Sequence, residues 1–421
     1  MLENEPAAAR VPLLFLVADT GGGHRNAARA VGQALERLYP GRFTPVLCDP
    51  LGGPGSARLL RFVTGLYGPA TRLAPWLWGA AYHACDSRAA MRVLRRALLR
   101  LADRPVAEAA AAHRPAAVVS FHPLTGSAAV AARSLGPPGA PVVTVVTDLA
   151  SVHAAWRHVD ADVIIAPRHP VRGGWDAWAA AGLPVTREFW GGPLCGGERA
   201  ILRRSLGLRE ETFLVLVTGG GEGSGGIATK AAAILRRFPD VDVVAVCGRN
   251  RRLKRRLDRL AASPGCGGRL TVTGFTRHMA DWLRACDLVV TKAGPGTIAE
   301  ATCCGAPLLL TSHLPGQETG NAEIVTRAGA GRRARSVRRL LAEINGLRRD
   351  QERTRAMRAA SARLGQPAAA ADIAELIADL VTATPPPAAS VSHASTLGRD
   401  KAGAAPGTGV AGVAHTRGAG T

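Results

Sequence analysis

His24 follows the glycine run Gly21-Gly22-Gly23, where the apolar segment VPLLFLVA (11–18) gives way to a helical pattern. Glycines let a backbone turn sharply and approach a ligand closely, and a helix start presents unpaired N–H groups to an anion. The helix dipole disfavours a histidine cation there, so the ring stays neutral and can accept a proton. A capping or packing histidine is the plainer reading of the same residue. A second constellation is TKAGPGTIAE, residues 291–300. A strand end leads through Gly294, Pro295 and Gly296 into a helix whose first turn, around Thr297, can hold a diphosphate on its backbone N–H groups. Glu300 either closes a capping box with Thr297 or accepts hydrogen bonds from ribose hydroxyls, as acidic residues do in other nucleotide sites. Downstream, PGQETGN (315–321) places Gln317 and Glu318 on another predicted strand-end loop. Amide and carboxylate groups there can read sugar hydroxyls or simply face water.

Metal chemistry finds little support. Asp160 and Asp162, and again Asp240 and Asp242, have a spacing that can hold a divalent ion. Each pair, however, immediately precedes an apolar run (VIIAP and VVAVC), so both read as strand-boundary acids. Eight cysteines, at 48, 85, 195, 247, 266, 286, 303 and 304, form no CxxC pair and show no zinc spacing. Reduced thiols are expected, with no metal and no cofactor.

Apolar periodicity supplies the elements that hold these groups. Residues 11–18 read as a buried strand and 25–38 as a helix with Ala28, Val31, Leu35 and Leu38 on one face. Ala117–Ser120, Val142–Val146 and Val163–Ala166 are further strands of this first series. A second series starts at Phe213 with FLVLVTGGGEGSGG and continues through Val241–Cys247, Leu270–Val272 and Leu288–Thr291 to a last strand at Pro307–Thr311. The stretch at 182–197, rich in Gly and Pro, suits a linker. The class is α/β, with two doubly wound domains facing a cleft. The expected divisions are 11–190, 191–366, a helix at 367–383, and a tail at 384–421 whose composition suits disorder.

The 421 residues carry 53 Lys and Arg against 32 Asp and Glu, a net charge of +21. Such a field attracts phosphate groups, nucleic acid or an acidic membrane face, although a genomic preference for Arg and Ala raises it equally. An aromatic content of 4% and no nucleic-acid motif argue against a nucleic-acid partner. Met1 to Arg10 lacks the marks of a signal peptide, and no apolar run reaches the roughly 20 residues that span a bilayer. Residues 56–104 mix Leu59, Leu60, Phe62, Val63, Leu66, Tyr67, Trp76, Leu77, Trp78 and Tyr82 with many arginines, which suits either a bilayer interface or ordinary helix packing. The basic run at 249–256 reads as a solvated helix face. Any contact with a membrane is expected from its cytoplasmic side.

KAGPGTIAEA, PGQETGN, VTGGGEGSGG, VCGRNRRL and the early GGGH resemble the motifs of monogalactosyldiacylglycerol synthases and related diacylglycerol glucosyltransferases. VVTDLASVHAAWRH (145–158) is similar to their segment with Thr-Asp and His-x-x-Trp. The lipid II N-acetylglucosaminyltransferases share the wider pattern without that segment. The resemblance covers about residues 11–365 and implies the two-domain GT-B fold. It implies that Gly274, Phe275 and Thr276 read uracil, that Glu300 holds ribose, and that Gly294, Gly296 and Thr297 hold phosphate. Gln317 and Glu318 would contact the sugar, and Gly219, Gly220, Gly221 and Gly223 would face the diphosphate. His24 matches the base, with Asp148 as its helper. Gly22, Gly23, His153 and Trp156 fall on the lipid-acceptor side. The Gly191-Gly192 pair departs from the family's linker. The resemblance thus implies an inverting transfer of a hexose from a UDP-sugar to a lipid, with diacylglycerol the expected acceptor, at the inner face of the cell membrane. A GT-B-fold UDP-N-acetylglucosamine epimerase, or a glycosyltransferase with a soluble acceptor, is the alternative.

Overall fold

Apolar runs too continuous for a half-exposed sheet become parallel strands covered on both faces. The structure, a computed structural model, describes residues 10–18, 22–135, 140–150, 152–157, 160–167 and 178–383. The tail at 384–421 and Gly21 lie outside the described residues. The first half contains β1 (Val11–Leu16), α1 (Gly23–Leu38), β2 (Phe43–Cys48), α2 (Arg58–Gly65), α3 (Tyr67–Leu73), α4 (Pro75–Cys85), α5 (Arg88–Ala97) and α6 (Asp103–His113). It continues with β3 (Ala117–Ser120), α7 (Gly126–Ala131), β4 (Val142–Val145), α8 (Ala154–Arg157), β5 (Val163–Ala166) and β6 (Trp178–Ala180). The second half contains α9 (Gly196–Ser205), β7 (Phe213–Thr218), α10 (Ile227–Arg237), β8 (Val241–Val246), α11 (Arg251–Ala261), β9 (Leu270–Thr273), α12 (Met279–Ala285) and β10 (Leu288–Lys292). Beyond these lie α13 (Pro295–Cys303), β11 (Leu308–Ser312), α14 (Asn321–Arg327), β12 (Gly331–Arg333), α15 (Val337–Arg349), α16 (Gln351–Leu364) and α17 (Ala369–Thr382).

Each half builds one six-stranded parallel sheet, ordered β2-β1-β3-β4-β5-β6 and β12-β11-β10-β7-β8-β9. Side chains alternate between faces. Leu13, Phe15 and Val17 join one core and Leu14, Leu16 and Ala18 another. In β7, Leu214 and Leu216 face one layer of helices, and Val215 and Val217 the other. The strand order reverses between β1 and β3 in the first sheet and between β7 and β10 in the second. Such switch points open a crevice at the carboxyl ends of the strands. The loops after β1, β7 and β10 carry glycines, the loop after β3 carries His122, and His24 opens α1.

The final strand is not Pro307–Thr311, as the apolar pattern suggests. β12 pairs beyond it, with Leu308 opposite Gly331. The linker is packed: Leu183, Val185 and Phe189 enter the core of the second half, and Arg284 Nε donates to the Gly192 carbonyl at 2.9 Å. α17 returns to the first sheet. Its Ala370, Ile373, Ala374, Ile377 and Ala378, at helical spacing, share a core with Ala27, Val31 and Ala34 of α1.

Candidate active site

At the first switch point, His24 sits in the opening turn of α1 and is 8% exposed. Its Nδ1 lies 2.9 Å from the Phe121 carbonyl and 2.7 Å from Thr147 Oγ1. A carbonyl can only accept, so Nδ1 carries the proton and Nε2 keeps its lone pair. No described residue hydrogen-bonds Nε2. Burial lowers the pKa of His24 to about 4, so the ring is neutral at neutral pH. His122, directly after β3, stacks edge-on against it at 4.5 Å and is itself held well below its usual pKa by burial and by His24.

Asp148 follows Thr147 on the loop after β4. Its Oδ2 accepts from Trp156 Nε1 at 2.6 Å and its Oδ1 from Gln317 Nε2 at 3.1 Å. Both donors suit a carboxylate, yet burial pushes its pKa up to about 6. Asp148 makes no direct bond to His24. Its contact toward His24 is through Trp156, whose ring lies 6.4 Å from the His24 ring. Trp156 is 1% exposed and packs on Val146, Ile164 and Ala166, so it forms no outward surface. His153 is spent as well: Nε2 donates to the Tyr82 carbonyl at 3.0 Å, and Nδ1 accepts from the Ala155 N–H at 3.0 Å.

At the second switch point, α13 starts on Gly294 with no side-chain cap and Pro295 in its first turn. The N–H groups of Gly296 and Thr297 therefore stand at a bare helix start, and a Cβ on Gly296 would meet open space. Thr297 lies inside the helix, so a capping box between Thr297 and Glu300 is excluded. Burial first, and then the nearby Glu188, push the pKa of Glu300 up to about 8. Gly219 to Gly223 wrap the end of β7. Gly223 needs to be glycine: φ is +59° and a Cβ would stand 2.0 Å from the Cys247 carbonyl. Phe275 is 61% exposed, with the Arg249 guanidinium 5.0 Å above its ring. Thr276 Oγ1 accepts from the His278 N–H at 3.0 Å. Glu318 is buried, pairs with Lys292 and accepts from the Leu314 N–H at 2.7 Å.

Several groups escape a reading of the sequence. Arg249 precedes α11 rather than lying on its solvated face. Its Nη1 comes within 3.2 Å of Glu222 and 4.0 Å of where a Cβ on Gly22 would stand, so it is a cation between the two glycine loops. Lys292 stands beside Gly294, and its position in TKAGPG is the available signal. His122 has one too, in FHP directly after a strand. Tyr67 of α3 has none: its buried phenol is pushed up in pKa by desolvation, then by Glu318 and Asp148. Asp162 and Asp242 prove to be strand-boundary acids, holding Arg133 with the Val142 N–H, and Arg209 with Thr212. Among the described residues no cluster of His, Cys, Asp and Glu is placed to hold a metal. All eight cysteines are free thiols.

Residues 214–377 match the family model for the glycosyltransferase family 28 C-terminal domain. A chloroplastic monogalactosyldiacylglycerol synthase 2 from Oryza sativa subsp. indica is 33% identical, over 77% of this chain and 71% of the relative. Monogalactosyldiacylglycerol synthase 3 of Arabidopsis thaliana, also chloroplastic, is 30% identical over 86% and 79%. Among solved structures, MurG of Acinetobacter baumannii superposes with a TM-score of 0.56 at 16% identity, covering 88% of this chain and 99% of that one. HepE of Anabaena, in complex with UDP-glucose, has a TM-score of 0.53 at 17% identity, covering 89% and 100%. The two parallel sheets are thus those of the GT-B fold.

Proposed function

The chain belongs to the monogalactosyldiacylglycerol synthase family of glycosyltransferases, and we propose that it moves a hexose from a UDP-sugar to a lipid hydroxyl, that of diacylglycerol, with inversion. The observation that carries this reading is the pair of facing switch points. One holds a neutral histidine with an available Nε2, and the other a bare helix start flanked by Arg249 and Lys292.

In this scheme the UDP-sugar lies along the second half, with uracil near Gly274, Phe275 and Thr276 and ribose against Glu300. The diphosphate rests on Gly219–Gly223 and on the N–H groups of Gly296 and Thr297. Gln317 and Glu318 meet the sugar. The acceptor oxygen attacks the anomeric carbon while its proton passes to His24 Nε2. The bond from that carbon to the phosphate oxygen breaks, and the electron pair leaves on UDP. The α13 helix start and the two cations stabilise the departing charge. Attack from the face opposite the leaving group turns an α-linked donor into a β-glycoside. The donor is a substrate, and the scheme draws on no cofactor or metal.

The acceptor side is supported by α2 to α5. Leu59, Phe62, Val63, Leu66, Trp76 and Leu77 are exposed, as is Leu73 at 85%. Leu60 is buried, and Trp78 is half-buried against Tyr67. Among the described residues no helix is long and apolar enough to cross a membrane. We take these helices to rest on an anionic membrane face on the cytoplasmic side. The deciding experiment incubates the protein with UDP-galactose, UDP-glucose, UDP-glucuronic acid or UDP-N-acetylglucosamine and diacylglycerol vesicles, and identifies products by mass spectrometry. A glycosyl-diacylglycerol is expected. UDP release without lipid, or a new free nucleotide-sugar epimer, would overturn the reading.

A further inference from the structure

Helix α4 has two working faces. Trp76 and Leu77 are exposed, while Gly79 and Tyr82 meet the second half of the chain. Gly79 is buried there, and a Cβ built on it would stand 2.7 Å from Pro315 Cβ. Nearly one turn on, the Tyr82 ring lies so close on Gly316 that a Cβ on that glycine would be 2.6 Å from Tyr82 Cδ1. The seam continues at Gly320, where a Cβ would meet Ala150 Cβ at 2.7 Å.

The same helix is tied to its own half. The Tyr82 carbonyl receives His153 Nε2 at 3.0 Å, and Asp86, just past α4, accepts from the Ala154 N–H at 2.6 Å. The loop it touches carries Gln317, whose amide reaches Asp148, and Glu318, paired with Lys292. Close-packed contacts of this kind move together, because interiors have little free volume to absorb a shift. A displacement of α4 therefore displaces the loop.

Resting on the reading that this loop grips the transferred sugar, we propose that Gly79 and Tyr82 of α4 are positioning residues for the donor sugar. The segment that meets the lipid thereby sets the register of Gln317 and Glu318. The nucleotide end of the donor, held on α13 and the glycine loops, senses α4 less directly, through the Glu318–Lys292 pair. Donor grip and acceptor docking share one helix, so the sugar is held in reacting geometry only when that helix is seated.

Calorimetry on the full chain tests this with UDP, UDP-glucose and UDP-galactose as probes. The readout is the ratio of UDP-sugar affinity to UDP affinity. Gly79→Ala forces its methyl against Pro315 Cβ and should lower the ratio for the preferred sugar by on the order of tenfold, with UDP affinity changing far less. Pro315→Gly removes the opposing atom, and in the double variant should restore the ratio. Tyr82→Ala should lower it too, whereas Tyr82→Phe, which keeps the ring on Gly316, should recover it. A Gly79→Ala ratio equal to wild type overturns the proposal. So does a loss that Pro315→Gly fails to restore. Should Gly79→Ala not fold, the Tyr82 pair decides by the same ratio. Wild-type protein that binds no UDP ligand sinks the donor reading itself, a result separate from any behaviour of the variants.

Discussion

Burial and then Glu188 make Glu300 a weak acid. With a pKa of about 8, some 0.9 of it is protonated at pH 7. If it holds ribose, the hydroxyls donate to its oxygens, and donors to a carboxyl favour the ionised form. Binding then releases a proton. If the bound carboxyl returns to its ordinary range, release approaches about 0.9 proton per ligand at pH 7. Because the ligand prefers the ionised form, affinity rises with pH and levels off above about 8. The fraction ionised in the free protein grows on the order of fiftyfold from pH 6 to pH 8, and affinity should grow with it. UDP-glucose is the right probe, because its phosphodiester does not titrate in this range. Calorimetry in buffers of differing ionisation enthalpy counts the proton directly. Glu300→Gln should release none, lose the pH dependence, and bind roughly tenfold to a hundredfold more weakly at pH 8. Glu188→Gln removes the neighbouring charge that raises Glu300, so it should diminish release while leaving affinity at pH 8 nearly unchanged. Release below about 0.2 proton with a flat affinity between pH 6 and 8 would refute the placement of ribose on Glu300.

His24→Ala should lower turnover by about 10²–10⁴-fold with UDP affinity intact, and a variant with near-normal turnover at saturating substrates removes the base assignment. Because His24 stays neutral down to about pH 4, the acid limb of kcat at saturating donor, where Glu300 is already ionised, should instead follow Asp148 near 6 and disappear in Asp148→Asn. Leu73→Ala with Trp76→Ala should weaken sedimentation with anionic vesicles, and salt should weaken it further, since each basic residue at such a surface contributes about 1 kcal/mol; unchanged sedimentation counts against α2 to α5 as the docking surface. Arg203 is 2% exposed, pairs with Asp287 and donates to the Ala285, Glu210 and Thr212 carbonyls. Asp287 keeps Arg199 and the Leu214 N–H in Arg203→Ala, but three carbonyls lose this donor, which should cost about 1–3 kcal/mol in denaturant unfolding, a loss below about 0.5 kcal/mol showing that the arginine is dispensable.

The central strands are legible because both of their faces are buried, which writes an unbroken apolar run such as FLVLVT. Edge strands lack that constraint. β2 reads FTPVLC, with a proline and exposed positions, and β12 reads GRR, with no apolar signal at all. The glycine loops are legible for a similar reason: Gly223 has no room for any side chain. Contacts across the chain are not legible. Nothing local distinguishes Arg249 from its neighbours Arg251 and Arg252, and only the approach of Gly22 makes it a cleft residue. Position within HAAW points His153 and Trp156 at a ligand. Long-range bonds to Tyr82 and Asp148 turn both inward. Glu300 is legible as a carboxylate but not as a neutral acid, because its raised pKa follows first from burial in the folded chain and then from Glu188 of a distant linker.

α17 bears on how the molecule is made. The apolar stripe of α1 formed by Ala27, Val31 and Ala34 is covered by Ile373, Ile377 and their neighbours. Those residues leave the ribosome last among the helices described. At synthesis speeds of about 5–20 residues per second, the amino-terminal half waits on the order of tens of seconds with that stripe uncovered. The early half is thus the late one to finish. Order of synthesis and order of assembly run in opposite directions along this chain.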